Sequence, residues 1–384
     1  MDDRRADLDW LRVIAFGLLI VYHAGLAWSG WGWHLNSHDS LPWLAEIMRF
    51  TNRWRIPLIY MIAGGAIGLS LARHGAVGFM TDRLRRLALP MVFGVLVIVP
   101  PQIYLERRYN GQFTGSFLQW LPHAYDHGNL AVVHLWFIGY ILVLSFVLLP
   151  LFLAMRTQAG RAAQDWLAQA MAATQTHWLM AVPLALAMLV FVPLPRNAQY
   201  MIGDWYGLSL AALLMLYGDF LFNTPQMLAL LRRQCWLALA VGCVTFVTLD
   251  VVIFHLNPGE RVRLLGLPVY APLQAINMIA WLFAVIGLGS RYLTRRSPFL
   301  AQATEALYPF YILHQTVTVA AVYVLLVYDL PALPGFLLTV LATFGVTWMI
   351  YAGGVRPWPW ARPLFGMKPL AVRAAALPGS SAAL

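Results

Sequence analysis

Long apolar runs, separated by short polar or charged segments, dominate the pattern along the chain. Ten of these runs approach twenty residues, the length that an α-helix needs to cross a hydrocarbon core about 30 Å thick. Their approximate positions are 10–28, 55–72, 84–104, 130–155, 178–194, 203–222, 236–255, 267–290, 304–328 and 330–355. A helix satisfies every backbone polar group within such a segment. The pattern therefore predicts an all-α, polytopic membrane protein built as a bundle of about ten transmembrane helices.

Positive residues are distributed unevenly between the segments that join these spans. With the N-terminus placed inside, 18 of the 26 Lys and Arg residues fall on inner segments and the remaining 8 on outer ones. An excess of Lys and Arg marks the cytoplasmic side of a membrane protein. Both termini are therefore predicted to be cytoplasmic. The spans assign residues 1–355 to one transmembrane domain and residues 356–384 to a cytoplasmic C-terminal tail.

Composition supports the membrane class and removes several others. Hydrophobic residues make up 60% of the chain and charged residues 11%, whereas a soluble domain carries about 25% charged residues. An aromatic content of 14% excludes a disordered chain. The net charge of +10 suggests nucleic-acid binding, but the arginines lie singly or in small groups between apolar runs, as in loops that flank membrane helices. We therefore predict the lipid bilayer as a partner and no nucleic acid.

The first span carries two residues that are costly in a membrane helix, Arg12 and His23. Eleven helical steps of 100° bring them to one face, about 16 Å apart along the axis. Asp9, three residues before Arg12, can pair with it. Arginine suits a phosphate group and histidine suits proton transfer. The alternatives are that Arg12 anchors the topology and that His23 makes a hydrogen bond between helices.

A second basic group lies at the inner end of the third span. Arg83 and Arg86 are three residues apart on one helical face, and Asp82 adjoins them. A phosphate site and a topology anchor fit this group equally well. On the outer side, Arg55 precedes the Gly64–Gly65 pair, whose small residues favour close helix packing.

Other polar and aromatic residues offer weaker signals. His134 and His314 fall at or within spans, whereas His123, Asp126 and His127 form an outer cluster. Because no cysteine pair and no His-Glu-x-x-His frame accompanies that cluster, no metal site is predicted. Tryptophans crowd the first outer loop at Trp28, Trp31, Trp33 and Trp43. They fit an interfacial aromatic belt, or else a stacking surface for sugar rings.

Several of these segments together resemble a known family. Asp9-Trp10-Leu11-Arg12 followed by His23 resembles the first-helix arginine and histidine signature of the membrane acyltransferase-3 family. The resemblance continues, in the family's order, through Arg55-Ile56-Pro57-Leu58, Arg83-Leu84-Arg85-Arg86, His134-Leu135-Trp136-Phe137 and Tyr308 through His314. It implies a ten-helix enzyme of the bacterial inner membrane. Such an enzyme takes a succinyl or acetyl group from cytoplasmic acyl-CoA and places it on a hydroxyl of an extracytoplasmic glycan, such as a periplasmic glucan.

The resemblance also assigns roles to residues of this chain. His23 is expected to act as the general base or to accept the acyl group itself, and Arg12, Arg83 and Arg86 to bind acyl-CoA. One departure is that the position four before Arg86 holds Asp82, where the family often has arginine. An acceptor cleft lined by Trp31, Trp33, Trp136, Tyr308 and His314 is expected, with Asp9 and His134 in supporting roles. Acyl-CoA would be a substrate, no permanently bound cofactor is expected, and the oligomeric state stays open.

Two other function classes compete with the enzyme. A proton-coupled transporter or flippase could use His23 and Arg12 as its substrate site, because ionisable residues in membrane spans mark such pathways. It would move a glycan or lipid-linked substrate without consuming acyl-CoA. A membrane sensor or scaffold would tolerate the loss of His23.

Overall fold

A computed structural model describes residues 5–126, 129–191, 194, 203–251, 263–264, 267–268 and 270–370. Of the described residues, 83% are helical, which confirms the predicted all-α class. Two-residue strands, β1 (Arg263–Leu264) and β2 (Leu267–Pro268), pair antiparallel, with Arg263 opposite Pro268 and Leu264 opposite Leu267.

Sixteen α-helices lie within the described residues. The first eight are α1 (Ala6–Leu26), α2 (Pro42–Asn52), α3 (Arg55–Arg83), α4 (Leu89–Phe93), α5 (Pro100–Tyr109), α6 (Phe117–Trp120), α7 (Trp136–Val147) and α8 (Leu149–Arg156). The others are α9 (Gln158–Thr174), α10 (Ala181–Phe191), α11 (Trp205–Asn223), α12 (Pro225–Val247), α13 (Tyr270–Tyr292), α14 (Pro298–Val327), α15 (Ala332–Met349) and α16 (Ala361–Leu364). Wider π-helical turns occur at Leu84–Ala88, Gly94–Ile98 and Ile350–Val355, and 3₁₀ turns at Leu121–Tyr125, Val133–Leu135 and Thr176–Met180.

Many of these helices could cross a membrane. Within the described residues, seven helical segments are long and apolar enough, or eight if the bent pair Val133–Val147 and Leu149–Arg156 forms one span. The run Pro42–Tyr109 contains two of the predicted spans, and Thr176–Phe191 is a shorter apolar helix at a third. The chain is therefore a multi-pass membrane protein. The count of ten and the cytoplasmic position of both ends stay predictions.

Helix α1 packs against several other helices and carries His23. It contacts α3, α13, α14 and α15, and its residues Leu11, Ala15 and Leu19 are buried. Helix α14 contacts α1, α5 and α15. This arrangement brings His23 of α1 and His314 of α14 together.

Helices α3 and α11 cross at small residues. A Cβ atom added to Gly64 would overlap the backbone of Met215, and one added to Gly218 would overlap the backbone of Met61. Only glycine permits this approach, because backbone atoms cannot move aside as a flexible side chain can. The close packing expected of the Gly64–Gly65 pair is thus confirmed.

The segment after the last long helix packs against the bundle. Helix α16 contacts α4 and the π-helical turn Ile350–Val355, and the guanidinium of Arg362 lies 3.1 Å from Glu305. Within the tail predicted at 356–384, residues 361–367 are buried or half-buried against the helices, residues 356–360 and 368–370 are exposed, and 371–384 lie outside the described residues. The domain boundary at 355 stays a prediction.

Candidate active site

Two cavities meet at His23. One, of about 580 Å³, includes Tyr22, Arg55, Tyr60 and Asp204 in its wall, and we call it the Arg55 chamber. The other, of about 530 Å³, is lined by Trp33, His34, Glu106, Arg107 and Gln315 among others, and we call it the His34 chamber. His23, His134 and Trp136 belong to both walls. A group held at His23 can therefore reach ligands in either chamber.

His23 is oriented by His314. The Nδ1 atom of His314 lies 2.7 Å from the carbonyl oxygen of Tyr311 and 3.1 Å from that of Phe310, so Nδ1 carries the hydrogen and donates it. In the neutral ring, Nε2 of His314 then accepts, and it lies 2.9 Å from Nδ1 of His23. This network assigns the N–H of His23 to Nδ1 and leaves a lone pair on its Nε2. His314 is fully buried, whereas His23 is partly exposed.

His134 ties the wall of both chambers to α14. Its Nε2 donates to the carbonyl oxygen of Ile312 at 3.1 Å, and its own carbonyl accepts from the hydroxyl of Tyr311. The His134 ring centroid lies 5.4 Å from that of His314. These contacts agree with a supporting role for His134, which stays a prediction.

A chain of hydrogen-bonded polar side chains runs from the wall of the His34 chamber into the helix bundle. Nδ1 of His34 donates to a carboxylate oxygen of Glu106 at 2.5 Å. Its Nε2 accepts from the amide nitrogen of Gln315 at 3.1 Å, which also lies 3.3 Å from the side-chain oxygen of Gln102. The amide of Gln102 donates to Thr316 at 2.7 Å. The chamber thus presents an anchored imidazole and a carboxylate to a polar ligand.

Arg55 is the most deeply buried arginine of the described residues, with 1% of its surface exposed. It begins α3, and its guanidinium stacks on the Tyr22 ring with its carbon 4.2 Å from the ring centroid. One nitrogen, Nη2, lies 3.5 Å from Asn52 Oδ1, while Nε and Nη1 have no hydrogen-bond partner among the described residues.

The three arginines predicted to bind acyl-CoA come together at the other end of α1. Arg83 lies within electrostatic reach of Arg12, Arg86 and Asp82. Arg86 Nε is 2.6 Å from Asp82, and Arg12 Nη1 is 3.5 Å from Asp9, which confirms the predicted Asp9–Arg12 contact. Residues from two helices therefore form one basic cluster.

The five residues predicted to line the acceptor cleft are divided by the fold. Trp33 and Trp136 line the His34 chamber, whereas Trp31 lines a smaller cavity of about 210 Å³ with Arg49 and Asn52. The ring of Trp33 packs 5.1 Å from that of His34.

The remaining two of the five lie on α14. His314 is bonded to His23 and lines an apolar cavity of about 210 Å³. Tyr308 is close to the arginine cluster, where its ring and the carbonyl of Arg86 both border Gly366. The acceptor role of all five residues stays a prediction.

The outer histidine cluster forms a simple pair. His123 Nδ1 lies 3.0 Å from Asp126, and His127 lies outside the described residues. In the part of the chain that the structure describes, no group of three or more His, Cys, Asp or Glu side chains is placed to hold a metal ion.

Sequence reasoning missed the His34–Glu106 pair and the burial of Arg55. His34 and Glu106 are 72 residues apart, and neither falls in a motif, so no local signal joins them. The sequence likewise places His314 within a span without indicating that it is the orienting partner of His23. A polar residue near a helix end gives no indication of whether it faces solvent or a chamber.

A family model described as an acyltransferase domain matches residues 5–352 of the chain. Similarity to individual proteins is weaker. Glucans biosynthesis protein C from Salmonella paratyphi B and that from Salmonella heidelberg are each 24% identical over 150 residues, 38% of this chain and 38% of each relative. The matched part thus spans less than two fifths of the length of these relatives. No solved structure matches the chain.

Proposed function

The chain belongs to the acyltransferase family whose domain model covers residues 5–352, and from this premise we propose that it moves an acyl group across the membrane. The donor is cytoplasmic acyl-CoA, either succinyl-CoA or acetyl-CoA, and the acceptor is a hydroxyl of an extracytoplasmic glycan. The observation that carries the proposal is the position of His23 at the junction of two chambers, with its Nδ1 bonded to His314. The relatives' role in glucan biosynthesis, given by their name, supports a glucan as the acceptor.

In this mechanism Nε2 of His23 takes the proton of the acceptor hydroxyl as its oxygen attacks the thioester carbonyl. The new C–O bond gives a tetrahedral intermediate, and its collapse breaks the C–S bond. The protonated His23 then returns the proton to the leaving thiolate, which completes the ester and free CoA. The hydrogen bond from His23 Nδ1 to His314 holds the imidazole in place and helps to carry its transient charge. Direct attack by His23 on the thioester, with an acylated imidazole as intermediate, uses the same lone pair.

The donor is proposed to approach from the arginine cluster. Arg12, Arg83 and Arg86 would bind the phosphates of CoA, because guanidinium forks match phosphate oxygens. The apolar cavity of about 210 Å³ begins at Val13, next to Arg12, and runs between α1 and α14 to His314. Its walls, formed by Phe16, Leu307 and Phe310 among others, suit the uncharged arm that carries the thioester.

The acceptor is proposed to occupy the His34 chamber. Trp33 and Trp136 offer ring faces against which a sugar can stack, and Glu106 and the side-chain oxygen of Gln315 can accept hydrogen bonds from its hydroxyls. We place the protein in the inner membrane of a bacterial cell, with its ends in the cytoplasm, so that this chamber faces the periplasm.

The test is transfer by purified protein in lipid nanodiscs. Radiolabelled acetyl-CoA or succinyl-CoA is supplied with an oligoglucoside, and label in the glycan is measured for the wild type and for His23→Ala. Label that reaches the glycan only with intact His23 supports the proposal. Movement of a glycan across the membrane of proteoliposomes, without consumption of acyl-CoA, would instead indicate a transporter or flippase.

A further inference from the structure

The guanidinium of Arg55 is buried and lacks the partners that a buried cation needs. Its Nε and Nη1 have no hydrogen-bond acceptor among the described residues, and its Nη2 has only a long contact of 3.5 Å to Asn52. The Tyr22 ring covers one face of the guanidinium plane but cannot accept hydrogen bonds in that plane. A buried charge without hydrogen-bonded partners is unfavourable, so this arrangement points to an anion that completes it.

Nearby carboxylates are engaged elsewhere. Asp204, in the wall of the same chamber, accepts from the Tyr140 hydroxyl at 2.5 Å and from the Gly207 amide at 3.0 Å, where it caps α11. In contrast, the buried Arg362 pairs with Glu305. Among the described residues, no carboxylate lies within ion-pair distance of Arg55.

The position of Arg55 at a helix N-terminus makes the binding of an anion there more favourable. It is the first residue of α3, whose N-cap residue Trp54 makes no side-chain hydrogen bond to the helix end. The partial positive charge of a helix N-terminus thus adds to the charge of the guanidinium. Arg55 and His23 share the wall of the Arg55 chamber, so an anion bound there lies in the chamber of the reacting group.

We propose that Arg55 is a carboxylate-binding residue of the Arg55 chamber, and that the carboxylate belongs to one of the two reactants. The identity of those reactants rests on the proposed function. A carboxylate has the planar pair of oxygens that a guanidinium fork binds through two hydrogen bonds. It can be the free end of a dicarboxylic acyl group on CoA or the acid group of a sugar in the acceptor. In both cases Arg55 selects a charged reactant over its uncharged counterpart.

The experiment measures transfer by the full chain in nanodiscs for the wild type, Arg55→Gln, Arg55→Lys and Arg108→Gln. Arg108 is a matched control, because it is an exposed arginine that lines a separate surface cavity and donates to Tyr323. Acetyl-CoA and succinyl-CoA are each combined with a neutral oligoglucoside and with an oligosaccharide that contains glucuronate. Succinate and glucuronate binding is measured separately by calorimetry.

We expect Arg55→Gln to lower kcat/KM about 10- to 150-fold for one carboxylate-bearing reactant, the range for a hydrogen bond to a charged group. Its uncharged counterpart should change by less than about threefold, since that reactant makes no such bond. The reactant affected, succinyl-CoA or the acidic glycan, identifies the source of the carboxylate. Arg55→Lys should retain part of the preference, because it keeps the charge but loses the fork.

Several outcomes would overturn the proposal. An equal loss for all four substrate combinations would make Arg55 a structural or transition-state residue instead. If the wild type transfers no acyl group, the proposed function fails. The calorimetric binding measurements then test the carboxylate site by themselves. The carboxylate site is then supported if the wild type and Arg108→Gln bind succinate or glucuronate and Arg55→Gln does not. The proposal is contradicted if the wild type binds neither acid. If Arg55→Gln elutes as aggregate, the same comparisons are made with Arg55→Lys.

Discussion

The Nε2 atom of His314 lies 2.9 Å from Nδ1 of His23, and the backbone carbonyls of Phe310 and Tyr311 decide which ring supplies the hydrogen between them. Because Nδ1 of His314 donates its hydrogen to these carbonyl oxygens, its Nε2 is left to accept from His23. A catalytic histidine is commonly held in one tautomer by a carboxylate. Here a second histidine, fixed by its own helix, takes that position without placing a negative charge among the spans.

Replacement of His314 tests this orienting role. His314→Leu should lower kcat at least about tenfold, a fraction of the 10²–10⁴ that a positioned acid–base group supplies. His314→Gln should recover part of the loss, because its amide oxygen can accept from His23 Nδ1. The measurement is steady-state transfer with each variant. Equal activity of the two variants would show that acceptance of this hydrogen bond is not what His314 contributes.

Removal of the imidazole at His23 should have a larger effect. We expect His23→Ala to lower turnover at least about 10²-fold, with little change in acyl-CoA affinity, because the arginine cluster is at the other end of α1. Donor binding and transfer are measured on protein with a normal elution profile. Transfer close to that of the wild type excludes His23 as the base, and loss of donor binding along with transfer would make it a donor-site residue.

Arg12→Ala should weaken acyl-CoA binding far more than acceptor binding. Arg12→Lys should restore binding only in part, because lysine retains the charge without the fork. Arg161→Ala is the control, since Arg161 is an exposed arginine of α9. Titration of each variant with acyl-CoA gives the affinities. If Arg12→Ala binds the donor as the wild type does, the phosphate role is wrong.

Glu106 should matter for the acceptor and not for the donor. Glu106→Gln weakens the 2.5 Å hydrogen bond that holds the His34 ring in the wall of the His34 chamber. We expect the acceptor KM to rise about 2- to 10-fold, as for a hydrogen bond worth about 0.5–1.5 kcal/mol. The KM for acyl-CoA should stay unchanged. A rise in the donor KM alone would place the donor in this chamber.

The α3–α11 crossing should not tolerate a side chain. Gly218→Ala places a methyl group against the backbone of Met61, so it should reduce the free energy of unfolding by about 1–3 kcal/mol. Gly345→Ala is the control, because a Cβ atom at Gly345 meets no atom within 4 Å. Thermal unfolding in detergent measures both variants. A melting temperature for Gly218→Ala at or above that of Gly345→Ala would contradict the close approach.

Apolar length and residue spacing along the chain are enough to predict the class of the fold and to single out Arg12 and His23 on the first helix. An apolar run near twenty residues can satisfy its backbone polar groups within the segment by forming a helix, so length and hydropathy suffice to predict the all-α membrane class. Arg12 and His23 were found in the same way, because a charged or titratable group within such a run is conspicuous. The Asp9–Arg12 contact follows from spacing along one helix, where three residues bring side chains together.

The groups that surround His23 are set by packing between helices that are distant in sequence. His23 and His314 are 291 residues apart and His34 and Glu106 are 72 apart, so each pair depends on how helices pack rather than on local spacing. Arg55 shows the same limit, since the sequence places it at a helix end, where arginine is ordinarily solvated. Its burial against Tyr22 follows from the contact between α1 and α3. Helical periodicity fixes the face on which a side chain lies, but the neighbour across that face is set by packing between segments that are distant in sequence.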